Sequence, residues 1–491
     1  MTRFNIADLM TSSGVKFGTS GARGLVSDLS DRVAYAYTSG FLQHLQQSGQ
    51  LGGASSVLIG GDLRPSSERI MTAVARAVSD RGLTPAHAGR VPSPALLLLG
   101  LERAVPSIMV TGSHIPDDRN GIKFNSGKGE ILKADELGIR SQIVDLPAVF
   151  DAQGQLDPAR NRLAPAEPTA ARAYVKRWLS AFPRALAGRR VGVYGHSAVG
   201  RELLVEVLEG LGAEVLRLGW SARFVPVDTE AIRPEDVQLA KDWSAQHSLD
   251  ALVSTDGDSD RPLIADETGT FLRGDVACVL AARFLGATFA AAPVSCNSVL
   301  ERSGWFRSAR TRIGSPFVIE AMLSALANGE PRVVGYEANG GFLQASELQV
   351  PGGGTLSALP SRDPLVVQLA LLCEAAQRGV ALSTLSAELP ARFTASDRIE
   401  NFPSERGAAL VSELSLGGAA AAERAFPELG AFESKNELDG LRIGFANQEV
   451  VHVRPSGNAP ELRCYVEASS AARASELLSY AMIRLSELSR A

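Results

Sequence analysis

Along the first three quarters of the chain, short apolar runs alternate with stretches whose apolar residues recur at helical spacing. Val57-Leu58-Ile59-Gly60 reads as a strand, and residues 67–79, with Ile70, Val74, Ala77 and Val78 on one face, read as the helix after it. Residues 106–110 form another apolar run. Val191-Gly192-Val193-Tyr194 forms a third, followed by a helical stretch through Leu203, Leu204, Val207 and Leu208. Such alternation predicts α/β units on parallel or mixed sheets. The C-terminal part changes character: residues 441–445 and 449–454 read as strands of a small α+β domain, and the alanine-rich segment 418–423 reads as a helix. Residues 157–169 hold three prolines and read as a linker. With 491 residues to divide, the expected domains are 1–165, 166–270, 271–388 and 389–491.

Composition narrows the class. The chain is 45% hydrophobic and 21% charged, as soluble globular proteins are. Its 49 basic and 54 acidic residues leave a net charge of −5, with no basic tract interleaved with aromatics, so nucleic acid is not an expected partner. Cys278, Cys296, Cys373 and Cys464 lie far apart with no CxxC pair, which argues against disulfides and zinc and for a reducing compartment. The first residues lack the layout of a signal peptide, and the apolar stretch 276–294 is interrupted by Arg283. A cytoplasmic protein without a membrane partner is expected.

Candidate chemistry is densest in Asp256-Gly257-Asp258-Ser259-Asp260-Arg261, directly after the apolar run 249–254. On an extended loop, side chains at alternate positions turn the same way, so the three carboxylates are expected to converge on one hard cation. An EF-hand would need glycine where Arg261 stands, and a helix rather than a strand before the loop. A haloacid-dehalogenase-type phosphatase would need a threonine soon after the second aspartate.

Three further strand-like runs end in loops of similar chemistry. Residues 108–110 lead into Thr111-Gly112-Ser113-His114-Ile115-Pro116 and then Asn120-Gly121-Ile122-Lys123. Residues 332–334 lead into Tyr336-Glu337-Ala338-Asn339-Gly340-Gly341, where Glu337 and Asn339 suit sugar hydroxyls and turn chemistry suits the glycines. Residues 450–453 lead into Arg454-Pro455-Ser456-Gly457-Asn458, with Arg463 in the next strand. Two arginines, two side-chain donors and a glycine make a phosphate cradle, though an ordinary hairpin has the same parts. Ser113 is the candidate nucleophile. On an extended chain adjacent side chains point apart, so His114 is not expected to pair with it.

Taken in this order, and with Lys16-Phe17-Gly18-Thr19-Ser20-Gly21-Ala22-Arg23-Gly24 and Gly61-Asp62-Leu63-Arg64-Pro65-Ser66 before them, these loops resemble the α-D-phosphohexomutase superfamily over nearly the whole chain. That superfamily covers phosphomannomutases, phosphoglucomutases and phosphoglucosamine mutases. The resemblance implies a four-domain, heart-shaped enzyme: three similar α/β domains plus a C-terminal α+β domain of the TATA-box-binding-protein-like type. It implies Ser113 as the phosphoserine and a ligand of Mg²⁺ together with Asp256, Asp258 and Asp260. Arg23, His114, Lys123 and Arg261 would surround the moving phosphoryl group, and Glu337 with Asn339 would meet the sugar. Arg454, Ser456, Gly457, Asn458 and Arg463 would hold the distal phosphate.

The implied activity is interconversion of mannose 6-phosphate and mannose 1-phosphate, by a monomer or homodimer, with a hexose 1,6-bisphosphate as intermediate and activator. A phosphoglucomutase or dual-specificity enzyme is the alternative within the superfamily. A Mg²⁺-dependent phosphatase or a non-catalytic sugar-phosphate-binding protein is the alternative outside it. The chain departs from the common loops in three places. Gly112 and Ile115 replace alanine and asparagine beside Ser113, Gly341 stands where the sugar loop usually has histidine, and Asn458-Ala459 replaces Thr-Glu.

Overall fold

The computed structural model describes residues 2–18, 21–456 and 460–489. Three sheets repeat one motif. In the first, strand Ser56–Gly61 pairs parallel with Thr84–Arg90 on one side and with Ser107–Val110 on the other. Arg119–Ser126 then closes antiparallel on Ser107–Val110. The second sheet does the same with Arg190–His196, Glu214–Trp220, Ala251–Thr255 and Pro262–Ala265. The third does so with Phe289–Pro293, Arg307–Thr311, Val333–Tyr336 and Phe342–Gln344. The first sheet is widened by Ala22–Leu25, antiparallel to Arg119–Ser126, and by Lys16–Phe17 beyond it.

Equivalent positions therefore carry the candidate loops. Residues 111–118, 256–261 and 337–341 each connect the third strand of a motif to its antiparallel fourth. The central strands are buried on both faces because helices cover them, which is why their sequences read as unbroken apolar runs. The last sheet is antiparallel, in the order Phe393–Ile399, Leu462–Ala468, Val450–Pro455, Leu441–Phe445, Phe432–Asn436. The fourth loop follows Val450–Pro455 and precedes Leu462–Ala468.

Packing groups the sheets unevenly. One continuous core runs through the second and third motifs, with Trp178, Leu208, Val253, Leu280, Tyr336 and Leu369 all essentially inaccessible. The first sheet and the last each have cores of their own. Polar contacts join the last sheet to the third motif: Ile313 N–H donates to Asp439 Oδ2 at 3.0 Å, and Ser298 N–H to Glu467 Oε2 at 3.0 Å. The apolar stretch 276–294 divides into helix Gly274–Phe284 and strand Phe289–Pro293. Among the described residues no helix is long and apolar enough to cross a membrane. All four cysteines are buried and unpaired.

Candidate active site

The serine loop is built around two buried groups from the end of strand Ser56–Gly61. Asp62 Oδ2 accepts from Thr111 Oγ1 at 2.8 Å and from Gly112 N–H at 3.3 Å. Arg64, fully buried, donates through Nη2 to the carbonyls of Ser113 (3.0 Å) and Ile115 (2.5 Å), and through Nη1 to those of Pro116 (2.5 Å) and Arg119 (3.0 Å). Its guanidinium carbon lies 4.1 Å from the centre of the Phe224 ring. A planar five-donor group can satisfy these four carbonyls and the Asp62 carboxylate at once, whereas an ammonium has only three donors.

So held, Ser113 adopts φ = 56°, a left-handed conformation uncommon outside glycine. The expectation that His114 points away is thereby overturned. It assumed extended backbone, but the left-handed turn brings His114 Nδ1 to 3.3 Å from Ser113 Oγ. Arg261 Nη1 donates to the same Nδ1 at 2.7 Å, which places the imidazole proton on Nε2. Nε2 in turn lies 4.0 Å from Asp228 Oδ2. Burial, then the Arg261 charge, lowers the His114 pKa to about 3, so the ring is neutral.

The three aspartates converge, but not by strand alternation. Residues 256–261 form a tight turn: Ser259 N–H donates to Asp256 O at 3.1 Å, and Ser259 has φ = 54°. Asp256 Oδ1 accepts the N–H groups of Asp260 (3.1 Å) and Arg261 (3.2 Å), curling the loop around its own first side chain. Oδ2 of Asp256 accepts from Ser113 Oγ at 2.6 Å. Lys123 Nζ donates at 2.6 Å to both Asp258 Oδ2 and Asp260 Oδ2, and Ser93 Oγ donates to Asp258 Oδ2 at 2.7 Å.

Among the described residues these aspartates are the one group of three or more His, Cys, Asp or Glu side chains whose potential ligand atoms all lie within 4.8 Å of one another. Each is nearly inaccessible, and Oδ1 of Asp258 and of Asp260 is buried with no hydrogen-bond partner among the described residues. Burial and the two neighbouring carboxylates raise the Asp256 pKa well above the usual range. Burial would raise Asp258 as well, but Lys123 holds it below that range; at Asp260 the Arg362 charge does the same. Crowded, under-satisfied oxygen ligands fit a hard divalent cation such as Mg²⁺.

Unmatched donors face this acidic group. Nε of Arg23 and Nε of Arg261 are buried without a hydrogen-bond partner among the described residues. Burial, then the nearby Arg261, depresses the Arg23 pKa to about 10. Buried guanidinium N–H groups left unpaired beside a cation site are what an incoming phosphate would satisfy.

Glu337 joins the cluster through a residue that the motif reading did not select. Arg362, 2% exposed, places Nη2 3.0 Å from Asp260 Oδ2 and Nη1 3.3 Å from Glu337 Oε2. Asn339 shapes its own loop, with Oδ1 accepting from Gly341 N–H at 2.9 Å, while Thr229 Oγ1 donates to its carbonyl at 2.7 Å. Arg64, Ser93, Asp228, Thr229 and Arg362 were all missed as site residues. Arg64 did stand within a noted motif; nothing local marks Ser93 or Arg362.

Arg454 and Arg463 belong to a second group. They are register partners on adjacent strands, and Arg398 pairs with Arg463 on the other side, so three arginines share one row. Like charges directly opposite each other are unfavourable unless an anion lies among them. Asp439 (3.5 Å from Arg454 Nε) and Glu461 (3.1 Å from Arg463 Nη2) offset them in part. Ser456 is buried beside this row, its N–H donating to Glu461 O at 2.8 Å. Gly457 and Asn458 lie outside the described residues.

Comparison with known proteins points the same way. Residues 14–146, 172–269 and 406–481 match, respectively, phosphoglucomutase/phosphomannomutase alpha/beta/alpha domain I, alpha/beta/alpha domain II and the C-terminal domain. A phosphomannomutase of Sinorhizobium fredii is 42% identical over 466 residues, spanning 95% of this chain and 97% of that protein. A phosphomannomutase of Salmonella muenchen is 41% identical over 474 residues, 95% of each. Among solved structures, a phosphoglucomutase/phosphomannomutase family protein of Burkholderia thailandensis superposes with a TM-score of 0.72 at 20% identity, covering 96% of this chain and 97% of that one.

Proposed function

The chain belongs to the phosphoglucomutase/phosphomannomutase family, and we propose that it interconverts mannose 6-phosphate and mannose 1-phosphate through a phosphoserine at Ser113. The observation that carries this reading is the convergence on one buried centre of Ser113, three carboxylates of which two have an oxygen without a hydrogen-bond partner, and two guanidinium N–H groups likewise without one among the described residues. Division of labour among the domains 1–165, 166–270, 271–388 and 389–491 is part of the proposal: serine, metal, sugar and phosphate loops in turn.

Asp256, Asp258 and Asp260, with an oxygen on Ser113, would hold Mg²⁺, which when bound supplies charge neutralisation at the serine phosphate. Arg261, Arg23 and Lys123 hold the phosphoryl oxygens and stabilise charge as the group moves. Glu337 and Asn339 orient the sugar hydroxyls. Arg454, Ser456 and Arg463, with Gly457 and Asn458, hold whichever phosphate is not reacting. The phosphoryl group leaves Ser113 for the free hydroxyl, giving a hexose 1,6-bisphosphate; the sugar then turns round, and its other phosphate returns to the serine. Neutral His114 faces Ser113 Oγ. With Arg23 and Lys123 it makes up the set placed to exchange the hydroxyl proton.

The test is a coupled assay at saturating Mg²⁺ with catalytic hexose 1,6-bisphosphate, comparing mannose 1-phosphate with glucose 1-phosphate. A preference for mannose supports the proposal. Preference for glucose replaces the substrate, and isomerisation of neither overturns the reading.

A further inference from the structure

Gly341 and Arg362 form a matched pair. A Cβ built at 341 would lie 2.6 Å from both Cγ and Cδ of Arg362, far inside the separation of about 3.5–4.0 Å at which carbons pack. The backbone at 341 is outside the left-handed region, so its conformation alone would accept alanine. What chiefly excludes a side chain there is the arginine stem, with Asn339 Oδ1 at 3.1 Å a lesser contact, and that stem has little freedom. The next residue, Asp363, is the N-cap of helix Pro364–Arg378; its side chain accepts from Leu365 N–H at 3.1 Å and from Tyr174 Oη at 2.6 Å. At the far end the guanidinium spans Asp260 and Glu337, one carboxylate from the metal loop and one from the sugar loop.

We infer that Arg362 is a positioning residue that locks the sugar loop in register with the carboxylate loop, and that glycine at 341 is the condition for its presence. The inference rests on the hexose-phosphate reading above. On that reading, Glu337 fixes where a sugar hydroxyl sits and Asp260 belongs to the centre that handles the phosphoryl group. A rigid bidentate link between them sets the distance from hydroxyl to phosphoryl before substrate arrives. It also gives the sugar loop a cationic group beside the position where the resembled sequences carry histidine.

The test is a double-mutant cycle on the full-length protein with Arg362→Ala, Gly341→Ala and the double variant, reading KM, kcat and Tm. Arg362→Ala lowers kcat for mannose 1-phosphate about tenfold, with a smaller change in KM. Gly341→Ala lowers kcat/KM about tenfold in the parent but less than about twofold once Arg362 is alanine, and lowers Tm chiefly in the parent. Equal costs of Gly341→Ala in both backgrounds, or an unchanged kcat for Arg362→Ala, overturn the inference. A parent protein that isomerises no hexose phosphate contradicts the functional reading instead, and the Tm cycle still decides whether the two residues are coupled.

Discussion

Ser113 Oγ lies 2.6 Å from Asp256 Oδ2 and donates a hydrogen bond to it, joining the serine loop of the first sheet to the carboxylate loop of the second. The bond identifies which carboxylate meets the serine oxygen. Asp258 and Asp260 instead hold Lys123.

That division predicts a cation requirement with a stability signature. At a Mg²⁺ concentration of about 100 times its Kd, binding to the folded state alone raises unfolding free energy by about 2.7 kcal/mol. Asp258→Asn is expected to abolish the Mg²⁺-dependent rise in Tm and to lower turnover at least about a hundredfold. A variant with an undiminished Mg²⁺ shift would place the cation elsewhere.

Arg64 supports the serine loop without reaching the substrate side. Lysine keeps the charge but cannot serve four carbonyls in a plane. Arg64→Lys is expected to cost about 3 kcal/mol of stability, as breaking a buried charged network does. Denaturant unfolding checks this, and a loss below about 0.5 kcal/mol, typical of a neutral surface change, would contradict it.

The arginine row makes a kinetic prediction. On the proposed reading, Arg454→Ala removes a group that acts on a distant phosphate in both orientations of the sugar, so KM should rise about tenfold to a hundredfold while kcat falls less. Steady-state kinetics with mannose 1-phosphate would show it. A collapse of kcat at constant KM would place Arg454 at the reacting phosphoryl group.

Acid should destabilise the fold through His452. Its ring is 2% exposed, with Nε2 2.6 Å from Asp439 O, and burial lowers its pKa to about 4 from an ordinary 6.5. The neutral ring is the one the fold prefers. Its contribution is complete above pH 6.5 and is lost as pH falls towards 4, by about 1.4 kcal/mol per pH unit. His196, also lowered to about 4 by burial, adds a slope of the same sign. Unfolding free energies from pH 7.5 down to 5 should therefore decline, and less steeply in His452→Gln; an unchanged slope would contradict the assignment.

What sequence could reveal followed from chain-local pattern. The strands at 56–61, 107–110, 190–196 and 450–455 announced themselves as apolar runs, and the loops after them as clusters of Asp, Ser, Gly and Arg. Ser113 and the three aspartates were legible because their chemistry is concentrated in short segments. His114 was misjudged because its direction depends on a left-handed backbone at Ser113, and Arg64 and Asp62 impose that conformation from fifty residues away. Arg362 precedes a legible helix start, Asp363-Pro364, but the span of its guanidinium exists only after two sheets have packed. The aspartate turn converged for a reason other than the one alternation offered: the side chain of its first residue, Asp256, collects the N–H groups of Asp260 and Arg261.

The central claim is that Ser113 carries the phosphoryl group and passes it to a sugar. The most direct measurement is mass spectrometry of the protein loaded with hexose 1,6-bisphosphate and then chased with mannose 1-phosphate. The account predicts one phosphoryl group on Ser113, discharged by the chase with formation of bisphosphate, and none on Ser113→Ala. A phosphoryl group that resists the chase, resides elsewhere, or is dispensable for isomerisation by Ser113→Ala would contradict it.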